Sequence, residues 1–152
     1  EVPERFHSRL NATGKIYVYR IATGEVKKVF ERRYIYDFGE KPDMELMGRA
    51  AEILTGTHDF KSFCSAGAQV QTTVRTIYAV NVTKADDMVH IRITGNGFLY
   101  NMVRIIAGTL MQVGTGLMEP EQVKEILEAR DRSKAGPTAV AKGLTLVEIR
   151  YE

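Results

Sequence analysis

Several residue types that mark particular protein classes are scarce or missing in this sequence. Cys64 is the single cysteine, and there is no tryptophan. One cysteine cannot form an internal disulfide, and no CxxC pair or Cys/His cluster has the spacing of metal ligands. These absences exclude a disulfide-stapled domain and a zinc site of the usual pattern, and they favour a reducing cytoplasm.

Long apolar runs are also missing. The longest apolar region, around residues 103 to 113, is interrupted by Gly108, Thr109 and Gln112 and falls short of the roughly 20 residues that span a bilayer. The first residues lack the basic and then apolar order of a signal peptide. We therefore expect no membrane segment.

Strong charge of one sign is absent as well. The formal net charge is +2 and the isoelectric point is near 8.7, which is too mild to establish nucleic-acid binding unless the basic residues gather on one face. The chain has no initiator methionine, and its first residues carry no helix-start signal. We expect a processed or truncated product.

What is present fits one globular domain. The 152 residues are 44% hydrophobic and 26% charged, a balance that allows a substantial core and argues against disorder. The sequence has no internal repeat and no low-complexity segment. We therefore predict a single domain over residues 1 to 152.

Alternating apolar and polar residues predict the strands. Residues 15 to 21 predict a strand with Tyr17 and Tyr19 on one face, and residues 26 to 38 predict one or two further extended pieces. Residues 73 to 84, a turn at Asp86-Asp87 and the return through residues 89 to 93 predict a hairpin. A closing strand is predicted over residues 144 to 151.

Helical spacing appears three times between these strands. Pro42-Asp43 marks the start of a helix that Gly56 ends, Phe98 to Val113 predicts a buried helix, and Pro120 opens a third helix through Ala129. The stretch from residue 57 to residue 63 is predicted to be a loop. Together these patterns predict an α+β fold, with a mainly antiparallel sheet and helices packed on one face.

Arg104 is the most informative single residue, because it lies in the middle of the otherwise apolar helix. A buried guanidinium needs an acceptor, most often a carboxylate. One interpretation is a partner within this chain, such as Glu148 or Asp59, or a side chain that reaches the surface along its stem. The other is a functional carboxylate across a cleft, in another domain.

The first strand offers a second candidate. Tyr17 and Tyr19 lie near Lys15 and Arg20, and aromatic residues interleaved with basic ones suit base stacking combined with phosphate contact. Aromatic residues in strands also serve packing alone. Both interpretations stay open at this point.

Other polar residues favour structural roles. His58 and Asp59 are adjacent and have no serine or cysteine nucleophile nearby, so we predict that Asp59 forms a local cap or turn. Cys64 is predicted to be an inert small residue. The two G-x-G segments, at residues 95 to 97 and 114 to 116, do not have the spacing of a phosphate-binding loop and are predicted to be turns.

Taken together, the motifs resemble the C-terminal half of the TruA family of tRNA pseudouridine synthases, and the resemblance spans almost the whole chain. In order, the matching segments are Phe6-His7-Ser8-Arg9, Lys15-Ile16-Tyr17-Val18-Tyr19-Arg20, Gly56-Thr57-His58-Asp59-Phe60, Arg75, Asn96-Gly97-Phe98-Leu99-Tyr100-Asn101-Met102-Val103-Arg104, Gly108-Thr109-Leu110 and Gly143-Leu144-Thr145-Leu146. The K-x-Y-x-Y strand, the G-x-H-D-F loop and the F-L-x-x-M-V-R helix are the most specific of them.

The resemblance implies an isomerase that detaches uracil from ribose in the tRNA anticodon stem-loop and reattaches it through carbon. It implies no metal or other cofactor, a cytoplasmic location and a homodimer of the intact protein. Tyr17 would stack on the target uracil and assist proton removal, and Arg104 would pair with the catalytic aspartate. Lys15, Arg20 and Arg75 would face RNA phosphates.

The sequence departs from the family in one respect. The family's catalytic aspartate lies in an R-T-D-x-G-V-H type motif of the N-terminal half, and none of the six aspartates here lies in such a motif. We therefore expect this chain alone to lack pseudouridylation activity. The alternative is a stand-alone RNA-binding or assembly domain without catalytic activity.

Overall fold

The computed structural model of the chain describes residues 12–24 and 34–151. The matching segment at residues 6 to 9 and the part of the predicted extended stretch from residue 26 to residue 33 lie outside these ranges. Within them the chain forms one sheet and three α-helices.

The sheet contains six strands, and most of their pairings are antiparallel. The strand order is β2-β1-β5-β4-β3, with β6 also paired to β1. Only β1 and β2 run parallel among the described pairs. The predicted α+β class with a mainly antiparallel sheet is confirmed. The strands are β1 (Ala12–Ala22), β2 (Tyr36–Asp37), β3 (Gly56–Asp59), β4 (Val74–Ala85), β5 (Met88–Gly95) and β6 (Leu144–Tyr151).

Alternation along β1 and β5 decides which face of the sheet carries the helices. Tyr19 lies opposite Ile91 and Ile21 lies opposite Val89, and these side chains are fully buried in one core cluster with residues of all three helices. Because successive side chains of a strand point to opposite faces, this cluster defines the helix-covered face. Tyr17 belongs to the same face.

The first helix, α1 (Met44–Leu54), begins where the sequence predicts. The Asp43 carboxylate accepts hydrogen bonds from the backbone N–H groups of Glu45 and Leu46, which satisfies two of the unpaired donors at the helix start. The third helix, α3 (Gln122–Ala129), follows a turn that contains Pro120 and buries its predicted apolar stripe. No helix in the described ranges is long and apolar enough to cross a membrane.

The central helix, α2 (Met102–Gly114), is buried along almost its whole length, as predicted. The prediction was wrong at its start, because residues 98 to 101 are not helical. Asn101 adopts a left-handed conformation, with φ 60° and ψ 11°, that an α-helix cannot continue through. Leu99 is buried in the core without being helical, so the apolar pattern extended past the true boundary.

The predicted loop at residues 57 to 63 contains more structure than expected. Its first part pairs with β4 as strand β3, and its second part is a 3-10 turn at Lys61–Phe63. The strand is short and polar, so alternation gave no signal for it. Asp59 does cap the turn, accepting a hydrogen bond from the Lys61 backbone N–H, and Phe63 is fully buried.

Residues 136 to 140 lie directly against α2, and two glycines permit this close approach. A Cβ atom at Gly108 would lie 1.8 Å from the Pro137 carbonyl oxygen, and one at Gly136 would lie 2.7 Å from the Thr109 Cα. The Gly136 N–H donates a hydrogen bond to the Thr109 hydroxyl, which is fully buried. Backbone therefore packs on backbone along this face of α2.

We predict that Gly108→Ala destabilises the chain by about 1–3 kcal/mol, because the added methyl group must push residues 136 to 140 away from α2. Gly48→Ala in α1 is the matched control, since a Cβ there meets nothing within 4 Å, and it should be neutral or stabilise by up to about 1 kcal/mol. Urea unfolding of both variants measures the difference. Equal stabilities of the two variants would contradict the close approach at Gly108.

Candidate functional site

The two tyrosines of β1 share a face but differ in their surroundings. Tyr19 is fully buried, and its hydroxyl donates a hydrogen bond of 2.7 Å to the Val140 carbonyl. Tyr17 is only half-buried, and its hydroxyl has no hydrogen-bond partner among the described residues. Burial raises the pKa of Tyr17, so its phenol keeps its proton at neutral pH. Tyr19 is thus a packing residue, whereas the Tyr17 hydroxyl meets no hydrogen-bond partner within residues 12–24 and 34–151.

The Phe98 ring packs against the Tyr17 ring. The two ring centroids lie 5.2 Å apart with an interplanar angle of 89°, which is the edge-to-face arrangement that aromatic pairs favour. Phe98 is held in turn by its contact with the backbone at Gly95, where a Cβ would lie 3.0 Å from the Phe98 ring. The orientation of the Tyr17 ring is therefore set by its neighbour from the segment before α2.

Arg104 is half-buried in the first turns of α2 and makes hydrogen bonds to neutral acceptors. Its Nε donates to the Ala139 carbonyl at 2.7 Å, and its Nη1 donates to the Asn101 side-chain oxygen at 3.1 Å. The Ala139 N–H donates back to the Arg104 carbonyl at 3.0 Å. These contacts fix two of the three nitrogens of the guanidinium group.

The two acids considered as partners of Arg104 are engaged elsewhere. Asp59 lies 3.5 Å from the Arg130 guanidinium, and Glu148 lies 2.7 Å from that of Arg150. Within residues 12–24 and 34–151, Arg104 contacts no carboxylate. The interpretation with a carboxylate partner inside the chain is therefore not supported in the described ranges.

One loop connects Arg104 to the tyrosine strand. The carbonyl of Ala139 accepts from Arg104, and the carbonyl of the next residue, Val140, accepts from Tyr19. The Arg104 charge also acts on Tyr19, where it opposes the larger effect of burial, which raises the pKa of that phenol. Arg104 and the helix-side face of β1 thus meet at residues 139 to 140.

A polar cleft of about 620 Å³ lies beside Tyr17, with Phe98 in its wall. Lys15 and Arg75 both line this cleft, and none of its described lining residues is acidic. The Arg75 Nη1 donates to the carbonyls of Thr72 and Val74, both at 2.7 Å. The lining residues are Ala12, Lys15, Gln69, Val70, Gln71, Thr72, Arg75, Asn96, Gly97 and Phe98.

Arg20 does not join this group. It lies on the opposite face of β1, where it pairs in register with His90 and lines a separate cavity of about 490 Å³ with Tyr34 and Met88. Burial lowers the pKa of His90, and the positive charge of Arg20 lowers it further. The structure therefore brings Lys15 and Arg75 to one cleft, to which Tyr17 is linked through its ring contact with Phe98, and it places Arg20 elsewhere.

Two residues that shape the site were not among the candidates from the sequence. Phe98 was assigned to the apolar pattern of a helix, and Asn101 was named only within the matching segment that ends at Arg104. The signal for Asn101 was its spacing, because positions three apart on a helix are neighbours. Nothing in the sequence indicated that the carbonyls of Ala139 and Val140 would accept hydrogen bonds at the site.

Comparison with known proteins gives consistent similarities. A sequence model described as tRNA pseudouridine synthase matches residues 50–152. A curated relative in Bacillus pumilus named tRNA pseudouridine synthase A is 47% identical over 100% of this chain and 62% of its own length. A relative of the same name in Bacillus subtilis is 49% identical over 97% of this chain and 60% of its own length. A protein of Clostridium tetani named tRNA pseudouridine synthase A 2 is 47% identical over 99% of this chain and 61% of its own length. The chain spans about three fifths of the length of these relatives.

We predict that Tyr19→Phe destabilises the chain by about 1 kcal/mol at neutral pH, through loss of the hydrogen bond to Val140. The difference should shrink as the pH rises above the ordinary tyrosine pKa of 10.0. Buried Tyr19 keeps its proton there while the unfolded tyrosine ionises, so only the wild type loses stability from this group. Denaturant unfolding at pH 7 and pH 10.5 measures both effects, and a difference that grows with pH would contradict the assignment.

Proposed function

The chain belongs to the TruA family of tRNA pseudouridine synthases, and on this premise we propose that it is the C-terminal part of an enzyme that converts uridine to pseudouridine in tRNA. The proposed substrate region is the anticodon stem-loop, and the intact protein is proposed to be a cytoplasmic homodimer. In the reaction, the bond from ribose C1′ to uracil N1 breaks and a bond from C1′ to uracil C5 forms. C5 loses its proton and N1 gains one, so that substrate and product are isomers.

Tyr17 is proposed to stack on the target uracil. Its half-buried ring is oriented by Phe98, and its hydroxyl has no partner among the described residues. Because burial raises the pKa of Tyr17, its phenol stays protonated, so its oxygen would take the C5 proton only while it passes its own hydroxyl proton on to water or to N1 of the uracil. A ring fixed before substrate arrives would lose little conformational freedom on stacking.

Arg104 is proposed to pair with the catalytic aspartate, supplied by the part of the protein that this chain does not contain. The observation that carries the proposal is that the half-buried Arg104 guanidinium meets neutral acceptors and no carboxylate in the described ranges. A guanidinium within about 4–6 Å favours the ionised form of a carboxylate. Alone, the chain would bind the substrate surface but lack the acid, and we expect it to be inactive.

The polar cleft is proposed to hold the RNA backbone near the target base. Lys15 and Arg75 line it together with neutral residues in the part of the chain that the structure describes, and cations that face a groove are the usual contacts of phosphate oxygens. Arg20 lies on the opposite face of β1. A contact of Arg20 with phosphate therefore remains a prediction, and it would involve a different stretch of the RNA from the one in the cleft.

We predict that Tyr17→Phe, in the full-length protein, retains tRNA binding but loses about 100-fold or more in the rate of pseudouridine formation, because the ring remains and the proton-accepting oxygen is lost. Tyr17→Ala should lose binding as well, since base stacking contributes about 1–3 kcal/mol per base. Binding and single-turnover conversion on tRNA that lacks the modification measure both. Tyr78→Phe, at an exposed tyrosine on β4, is the control.

Arg104→Gln should abolish conversion while the protein remains folded, because the catalytic carboxylate would lose the charge that keeps it ionised. The measurement is again pseudouridine formation, with Arg92→Gln on the outer face of β5 as the control. Full conversion by both Arg104→Gln and Tyr17→Ala would overturn the proposed function and leave the stand-alone RNA-binding domain as the better description.

A separate prediction concerns the binding of RNA in the cleft. Lys15→Gln should weaken binding at low salt and reduce the slope of log affinity against log salt by about 1, as expected for one lost phosphate contact. Lys124→Gln on the exposed side of α3 is the matched control and should leave the slope unchanged. Identical slopes for the two variants would exclude Lys15 from the RNA interface.

A further inference from the structure

Asn101 stands out because its backbone is in a conformation that costs energy. Its φ of 60° lies in the left-handed region, which non-glycine residues rarely adopt, although asparagine tolerates it better than most. Strained residues of this kind persist where surrounding contacts hold them, and they cluster at functional sites. Asn101 is also the residue at which α2 begins, with its carbonyl accepting from the Ile105 N–H.

The side chain of Asn101 connects Arg104 to a second polar residue. Its oxygen accepts from the Arg104 Nη1 at 3.1 Å, and its amide nitrogen donates to the Ser65 hydroxyl at 3.1 Å. Arginine has only donors, so the amide oxygen must be the atom that faces Arg104. Ser65 is itself held in place, because its N–H donates to the Tyr100 carbonyl at 3.1 Å.

These contacts leave one edge of the guanidinium group available. The Nε is bound by the Ala139 carbonyl and the Nη1 by Asn101, whereas the Nη2 has no hydrogen-bond partner among the described residues. Both acceptors are neutral, so they fix the plane of the guanidinium without cancelling its charge. Fixed donors aimed at a charge that arrives later are more effective than mobile ones.

We propose that Asn101 is a positioning residue, whose side-chain amide holds the Arg104 guanidinium in the orientation in which its free edge receives the catalytic carboxylate. This inference rests on the proposed function, since it presupposes that Arg104 serves a carboxylate. It goes beyond that function in assigning a role to the left-handed residue before α2 and to its contact with Ser65.

A neutral side chain at position 101 is a requirement of this proposal. An aspartate there would place a carboxylate within hydrogen-bond distance of the Arg104 Nη1 and form an ion pair in a half-buried setting. That internal partner would compete with the catalytic carboxylate for the guanidinium. A negative charge at position 101 should therefore reduce the rate of the reaction more than loss of the amide alone does.

The test compares Asn101→Gly and Asn101→Asp with wild type in the full-length protein. Glycine adopts the left-handed backbone without strain, so this variant removes the amide while keeping the start of α2. We expect an unchanged KM and a kcat reduced by about tenfold or more, as for loss of a hydrogen bond to a charged group. The fall in kcat should be larger for Asn101→Asp.

The pH dependence of kcat separates positioning from a purely structural role. A loosened Arg104 stabilises the ionised catalytic carboxylate less, so the acid limb of the profile should move to higher pH in Asn101→Gly. Tyr19 is a titratable group on which the Arg104 charge acts, and burial raises its pKa so that it stays neutral across this range. Gly116→Ala, at a left-handed glycine beyond the other end of α2, controls for backbone effects on the helix and should not move the acid limb.

Two results would overturn the proposal. One is an Asn101→Gly variant with wild-type kcat and an unmoved acid limb. The other is a reduced kcat that follows a loss of thermal stability while the acid limb stays in place, which would assign Asn101 to helix capping alone. Failure of the proposed function would appear differently, as undiminished conversion by both Arg104→Gln and Tyr17→Ala.

Discussion

The candidate site depends on one constraint, the close packing of the backbone of residues 136 to 140 against the backbone of α2. It requires hydrogen in place of a side chain at Gly108 and Gly136. Because the loop lies so close, the carbonyls of Ala139 and Val140 come within hydrogen-bond distance of Arg104 and Tyr19. A single packing contact therefore sets the position of the helix cation relative to the strand that carries the tyrosines.

The same contact explains how a guanidinium is accommodated in an apolar helix. A half-buried charge loses hydration, and strong hydrogen bonds must offset that loss. Arg104 obtains them from a loop carbonyl and from an asparagine side chain, so within residues 12–24 and 34–151 dipoles solvate the charge and no carboxylate neutralises it. An internal salt bridge would also satisfy the guanidinium, but it would leave less attraction for an incoming carboxylate.

Much of the fold could be predicted from the sequence, because strands and helices with one buried face carry clear periodicity. The hairpin of β4 and β5, the strand β1 and the burial of α2 followed from this pattern. Strand β3 did not, since it is short and polar, and the apolar run at Phe98 concealed the true start of α2. In the site, the need of Arg104 for a hydrogen-bond acceptor could be anticipated, but the role of loop carbonyls could not, because every residue carries one.

Alternation along β1 limits what a single nucleotide could contact under the proposed function. Lys15 and Tyr17 are two residues apart on one face, which separates them by about 6.6 Å along the strand. One strand can thus present a stacking ring to a base and a cation to the backbone beside it, with Phe98 closing the cleft between them. Arg20 points to the other face and cannot reach the same nucleotide. Recognition at β1 would therefore depend on the alternation of side chains along the strand. A shift of one residue between Lys15 and Tyr17 would place their side chains on opposite faces and separate the phosphate contact from the base-stacking contact.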